Sequence, residues 1–198
     1  MPRRVDPTGR RTEILQATVA VLAEKGPRRL SLGAVAARMG GSSTLVTHYI
    51  RSRQELLDSL VDLVDWWRDE LATLEVESSD PQERLRRVLE WLLPLDEHSF
   101  VQEQARINPL GEPDARLRTR PAFEAWDRYM RRVVGDHLRG LVPDNRLEPT
   151  VELLRVITNG VCISAVEHPN QWPRERQIAV IDHVLALLNL DSPTSGSD

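Results

Sequence analysis

Between positions 42 and 53 the chain places Ser42, Ser43, Thr44, Thr47, His48, Tyr49 and Arg53 in close succession, short hydrogen-bonding side chains followed by a cation. Groups of this kind can pair with base edges and phosphate oxygens, and a guanidinium adds charge-assisted contact to phosphate. Bond-breaking chemistry is poorly served. The histidines, His48, His98, His137, His168 and His183, show no H-E-x-x-H spacing, and the lone Cys162 has no base beside it in sequence. No G-x-S-x-G, Walker or dinucleotide glycine loop occurs either. No catalytic residue, metal ligand or cofactor is therefore assigned, although a serine-histidine site assembled only by folding stays open at this level.

The elements that must position these residues are legible. Ser31 precedes Leu32, Val35, Ala36 and Met39, which fall on one helical face, so Ser31 reads as an N-cap with Leu30 and Val35 as its hydrophobic staple. That helix runs to about Met39. Gly40 and Gly41 can take positive φ and turn the chain sharply, and Ser42 then caps a second helix of two turns, Ser43 to Tyr49. It is held by Leu45 and Val46 and is too short and polar to be explained by core packing. Such a helix enters a major groove with its first turn, while its predecessor crosses the backbone. Ser43 and Thr44 are then candidates for base contact; Ser31, Ser42, Thr47, His48, Tyr49 and Arg53 are candidates for the backbone. Ser52 and Glu55 form an S-x-x-E capping box that opens a third helix, with Arg53 in its first turn, where a helix start favours phosphate.

The stretch Gly40 to Leu56, GGSSTLVTHYIRSRQEL, resembles the signature of the tetracycline-repressor (TetR) family: glycine, an apolar residue, serine, a variable trio, leucine-tyrosine, an aromatic or histidine pair, phenylalanine, then serine-lysine and a leucine beyond. The preceding RRTEILQATVAVLAEKGPRRLSL is similar to that family's first helix and its approach to the second. Gly41 departs from the usual apolar residue, Val46-Thr47 from leucine-tyrosine, Ile50 from phenylalanine and Arg53 from lysine, the last keeping the charge. Loss of the tyrosine removes one phosphate contact, for which Thr47, His48 or Tyr49 could substitute. The resemblance implies a homodimeric transcriptional regulator, most often a repressor, that binds a palindromic double-stranded DNA operator and is released by a small-molecule effector.

Charge is segregated along the chain. Residues 1 to 56 hold ten Lys/Arg against four Asp/Glu, net +6, and the remainder sixteen against twenty-six, net −10, giving the overall −4. The basic end is the one with the helix-turn-helix, and the local field is what attracts phosphate. Arg3, Arg4, Arg10 and Arg11 lie on or just after the Pro/Gly-containing leader MPRRVDPTG, which reads either as a flexible basic arm over residues 1–9 or as a solvated terminus. The rival to the DNA reading is a helical interaction protein whose basic N-terminal end binds an acidic partner. Both would bind with salt dependence, but only a DNA reader prefers one sequence.

The fold class expected is all-α: an N-terminal three-helix helix-turn-helix domain over 10–52, then a helical effector-binding and dimerisation bundle over 53–190, with a disordered tail over 191–198. Helices are expected over Arg11 to Lys25, over Ser52 to about Glu75 as a continuous link, and from Pro81 to Pro94. Others run from His98 to Arg106, from Pro113 to Arg139 with a break at Pro121, from about Pro149 to Glu167, and from Pro173 to Leu190. Trp91, Phe100, Trp126, Tyr129 and Met130 could line an apolar pocket, with Gln104, Arg106 and Asn159 as polar handles, although an aromatic at helical spacing is more often core than pocket lining. Gly160, inside a helix, implies close approach or pocket space. Apolar stripes on the last two helices (Val151, Leu154, Ile157, Thr158, Val161, Ala165; Ile178, Ile181, Val184, Leu185, Leu188) suit a two-fold four-helix interface or a buried pair. The single cysteine excludes an internal disulfide and, in an apolar helix, reads as a buried structural thiol. With no apolar run read as long enough to span a bilayer and no secretion leader, the expectation is a cytoplasmic protein with no membrane partner.

Overall fold

A computed structural model describes residues 7–62, 71 and 79–190. Among these residues the elements are α1 (Pro7–Lys25), α2 (Leu32–Arg38), α3 (Ser43–Thr47), α4 (Arg53–Asp58), α5 (Pro81–Trp91), α6 (Glu97–Ile107), α7 (Pro113–Leu138), α8 (Asp144–Glu167) and α9 (Arg174–Leu187), with short 3-10 turns at Pro27–Arg29, Ser59–Asp62 and Asn108–Gly111. The all-α expectation holds. The chain divides into two compact units, one of residues 1–65 and 101–125, the other of 66–100 and 126–198. The expected division at 52/53 was contiguous; here α4 and the chain from Val101 to Ala125 join the N-terminal unit. Contacts between segments distant in sequence define that division, and local periodicity carries no information about them.

In the first unit α1 packs on α2 and α2 on α3. Ile14, Leu22, Leu30, Val35, Val46, Ile50, Leu56 and Leu57 are all buried, so Leu30 and Val35 close the staple expected of them. Helix α1 begins at Pro7, four residues before the expected start, so the leader is helical in its last residues; Arg3 and Arg4 lie outside the described residues. The helix ends at Gly26, whose φ is +70°. Asn108 Nδ2 donates to the carbonyls of Leu22 and Ala23 at 2.9 and 3.0 Å; Leu22 O also accepts from Gly26 N at 3.1 Å, so the acceptor that the end of α1 would leave open is Ala23 O. The expected helix from Ser52 to Glu75 is regular only to Asp58 and tightens into a 3-10 turn at Ser59–Asp62, where the buried Ser59 hydroxyl donates to the Leu56 carbonyl. Beyond Asp62 that expectation, with Trp66 and Trp67, lies outside the described residues, apart from Leu71, which is helical and fully buried.

The second unit is cored by Leu85, Val88, Leu89, Met130, Val134, Leu138, Leu154, Val161, Ile181 and Leu185, with α9 packed on α5 and α8. Asp80 caps α5 at Gln82 N (3.1 Å) and Pro81 takes the first-turn position that needs no N–H. Helix α7 passes through Pro121 without a break, contrary to expectation. The amide that proline lacks would have bonded the carbonyl of Leu117, whose residue is 69% exposed, so solvent meets that carbonyl. Helix α8 starts at Asp144, five residues before the expected Pro149. By length and hydropathy α8 could cross a bilayer, which corrects the expectation from sequence; Val151, Leu154, Val161, Cys162 and Ala165 are buried in the unit's own core, as is the charged Arg155. Cys162 is buried, its thiol against the Leu92 carbonyl at 3.2 Å.

Candidate nucleic-acid interface

The turn between α2 and α3 is built by hydrogen bonds. Gly41 N donates to Ala36 O at 2.9 Å and Gly40 N to Ala37 O at 3.2 Å, the paired closure of a Schellman motif, with Gly40 at φ +67°. A side chain at Gly40 would be strained by its backbone, not by crowding, since a Cβ there meets nothing within 4 Å. Gly41 needs no unusual φ and is equally open, so it is free of any conformational demand for glycine. The turn delivers α3 with Val46 and Ile50 fully buried and with Ser43, Thr44, Thr47 and His48 exposed. One buried contact anchors a short helix whose polar face is left to solvent.

The expected contact residues differ in what their hydrogens are doing. Ser31 Oγ accepts from Ala34 N at 3.1 Å, which caps α2 and leaves the hydroxyl hydrogen to donate elsewhere. Ser42 is the extended residue before α3, but its side chain makes no cap bond, so its expected capping role is not made and its hydroxyl has no hydrogen-bond partner among the described residues. Thr47 Oγ1 donates to the Thr44 carbonyl at 3.0 Å, which occupies the hydrogen a phosphate would need. His48 and Tyr49 meet edge-on, ring centroids 5.1 Å apart. Ser43 and Thr44 form the exposed first turn of α3. At α4, Ser52 Oγ accepts from Glu55 N at 3.1 Å, while the Glu55 carboxylate accepts from Arg51 N at 2.7 Å, one residue ahead of the usual capping-box partner.

Arg53 is already engaged. Its Nη2 donates to the carbonyl of Pro27 at 2.9 Å, and its Nη1 lies 3.5 Å from Asp114. Other cations of this unit are paired too: Arg11 with Asp62 at 2.9 Å, Arg38 with Glu24 at 2.7 Å, Arg28 with Glu112 and Arg118 with Asp58 at 3.8 Å. Four of these five pairs, counting Arg53–Asp114, join partners more than fifty positions apart, and no local sequence pattern signals them. Arg53, expected to contact phosphate from the first turn of its helix, therefore gives no local sign of these partners.

The effector candidates separate. Trp91 and Trp126 sit 5.7 Å apart between ring centroids and Trp126 and Tyr129 6.4 Å, and all three pack against the core that contains the fully buried Met130. Phe100 instead borders a 260 Å³ open cavity with Pro94, Leu95, Trp172 and Gln177. Gln104 and Arg106 fall in the first unit, Arg106 paired with Glu103 at 2.6 Å. Asn159 is half-buried on α8. Arg155, which the sequence reading did not single out, is 4% exposed and reaches Asp127 at 3.2 Å. Among the described residues nothing lies within 4 Å of a Cβ placed on Gly160, so they supply neither the close approach nor the pocket expected there. The stripes expected to dimerise are largely the unit's own core: Val151, Leu154, Thr158, Val161, Ala165, Ile181 and Leu185 are buried. The apolar surface left exposed on α8 is a different one, Leu153, Val156 and Ile163, in register with Gly160. Among the described residues no cluster could hold a metal ion.

Two short helices joined by a glycine-closed turn, the second buried at Val46 and polar outside, define a helix-turn-helix DNA-binding module. Residues 14–60 match the family model for bacterial regulatory proteins of the tetR family, and residues 81–189 match the C-terminal domain of BetI-type transcriptional repressors. The chain belongs to the TetR family of transcriptional regulators. It is 33% identical over 86 residues to the HTH-type transcriptional regulator BetI of Yersinia pestis (strain Pestoides F), covering 41% of this chain and 42% of that protein. It is 29% identical over 101 residues to PksA of Bacillus subtilis (strain 168), about half of each chain. The matches thus span half or less of the curated relatives. Among solved structures it resembles a transcriptional regulator from Rhodococcus sp. Rha1 (TM-score 0.77, 23% identity, 92% and 95% of the two chains). It also resembles one from Saccharomonospora viridis in complex with choline (TM-score 0.72, 17% identity, 90% and 96%). FadR from Bacillus subtilis, in complex with stearoyl-CoA, shares the fold at TM-score 0.67 and 14% identity, over 90% and 97%.

Proposed function

We propose that this chain is a cytoplasmic, homodimeric, effector-responsive regulator, most simply a repressor, that binds a palindromic operator. The observation that carries the DNA reading is the exposed first turn of α3, Ser43 and Thr44, held in place by fully buried Val46 and Ile50. Ser43 and Thr44 read base edges; Ser31 and Ser42, with hydroxyl hydrogens to give, donate to phosphate, and Tyr49, His48 and Thr47 border the same contact. A single head reads too few base pairs, whereas two heads about 34–36 Å apart address successive major grooves. The exposed Leu153, Val156, Gly160 and Ile163 face of α8 supports the two-fold contact, the glycine allowing two copies to approach closely.

An effector in the second unit is supported by the BetI-type C-terminal match and by neighbours that hold choline and stearoyl-CoA. The Trp91, Trp126, Tyr129 and Met130 cluster is the first place to seek it. An effector that binds one spacing of the two heads better than the other shifts the population away from the operator-binding form, and each 1.4 kcal/mol of preference is about tenfold in affinity. The experiment is binding of purified protein to DNA from around its own gene, at two salt concentrations, against a shuffled competitor. Selective, salt-sensitive binding is expected; salt-sensitive binding without selectivity would return the reading to an acidic partner.

A further inference from the structure

We infer that Arg29 and Arg51, not Arg53, are the cations that hold the DNA backbone, and that Glu112 and Asp114 reserve Arg28 and Arg53 within the protein. This rests on the DNA-binding reading above and assigns its phosphate contacts. Four arginines gather where Arg53 Nη2 meets the Pro27 carbonyl at 2.9 Å: Arg28 and Arg29 directly follow Pro27, and Arg51 lies two residues before Arg53. Two of the four have carboxylate partners, Arg28 with Glu112 and Arg53 with Asp114 at 3.5 Å. Glu55, the other carboxylate nearby, is taken up by the backbone N–H of Arg51 at 2.7 Å. The side chains of Arg29 and Arg51 are exposed and have no ion-pair partner among the described residues. Each also stands immediately beside the recognition elements: Arg51 precedes the cap Ser52, and Arg29 lies two residues before the cap Ser31.

The physical distinction is in the counterions. A cation without a carboxylate partner that settles on a phosphate releases a counterion from the DNA and breaks nothing in the protein. A cation already bound to a carboxylate, and in the case of Arg53 also to a carbonyl, must give up or share those contacts, so its net gain on DNA is smaller. Glu112 and Asp114 therefore restrain binding, keeping two of the four guanidiniums off the duplex.

The test is the dependence of log K on log salt for the full chain, measured on its own upstream DNA and on a shuffled duplex. Arg29→Gln and Arg51→Gln should each reduce the slope by roughly 1.8 on both duplexes, about 0.9 for each of the two copies in the proposed dimer. Arg53→Gln should leave the slope unchanged, while Glu112→Gln and Asp114→Asn, by releasing Arg28 and Arg53, should tighten binding and steepen it. Circular dichroism establishes that each variant is folded; the surface positions Arg29 and Arg51 keep the test available if Arg53→Gln is not. Unchanged slopes for Arg29→Gln and Arg51→Gln, with the loss appearing at Arg53→Gln, overturn this assignment alone. If the wild-type chain binds neither duplex, the DNA reading itself falls and this assignment with it.

Discussion

The Arg53 guanidinium and the Pro27 carbonyl, 26 positions apart, are joined by a 2.9 Å hydrogen bond that ties the start of α4 to the turn between α1 and α2. The bond fixes where α4 begins relative to the turn that leads into α2. Arg53 is thereby a positioning residue for the helix-turn-helix. Lysine, with a single ammonium, cannot reproduce a planar fork that meets Pro27 through one nitrogen and Asp114 through the other. Arg53→Ala is expected to lower unfolding stability by about 1.5–3 kcal/mol, the value of one hydrogen bond to a charged group. Arg53→Lys should recover only part of that loss in urea denaturation.

The two turn glycines make opposite predictions. Gly40→Ala places a side chain at φ +67° and should cost about 1–2 kcal/mol in unfolding free energy although the space is open. Gly41→Ala meets neither strain nor crowding, so it should be neutral or slightly stabilising. Equal losses at both positions, read from thermal melts, would show that the turn is not closed as described.

Ser42 and Ser52 both precede a helix, and only one of them caps it through its side chain. Ser52→Ala should cost about 1 kcal/mol of stability. Ser42→Ala should leave the melting temperature in place and weaken DNA binding, because its uncommitted hydroxyl is available to phosphate. A melting shift at Ser42→Ala as large as at Ser52→Ala would contradict that division of roles.

The second unit should lose stability in acid through two identifiable carboxylates. Burial pushes Asp127 upward, but hydrogen bonds from Arg131 and Arg155, with their charges, outweigh it and hold the carboxyl below its ordinary value. Asp96 is lowered chiefly by the backbone N–H of Ser99, 2.8 Å away. Both groups bind protons less readily when folded than when unfolded. The stability they contribute is therefore complete above the unfolded carboxylate pKa of about 3.9 and disappears as pH falls through the lower folded values. Denaturation across pH should show Asp127→Asn with a flatter acid limb than the wild type, and a wild-type limb no steeper than the variant's would refute the assignment.

On α8, Val156→Lys replaces a side chain that is 58% exposed in the single chain. The protomer should keep its helical content, while sedimentation or light scattering shifts from dimer to monomer and operator binding weakens. Replacing Leu154, which is fully buried, should instead unfold the second unit, costing about 2–5 kcal/mol as Leu154→Ala.

Local chemistry made much of this protein readable from its residues alone. Ser31 and Ser52 as caps, the turn at Gly40, the staple of Leu30 and Val35, the Asp80-Pro81 helix start and the polar face of α3 all depend on neighbours within a few positions, where hydroxyl reach, φ preference and helical period decide the outcome. Tertiary structure alone decided the pairings across long stretches of chain. The commitment of Arg53 to Pro27 and Asp114, the capping of α1 by Asn108, and the choice of Leu153, Val156 and Ile163 over the more apolar stripe beside them as the open face all fall in that class. An apolar stripe says that a helix face is buried but not against what, and a charge says that a partner is wanted but not which. Only packing, which brings distant carboxylates and carbonyls within hydrogen-bond reach, selects among them.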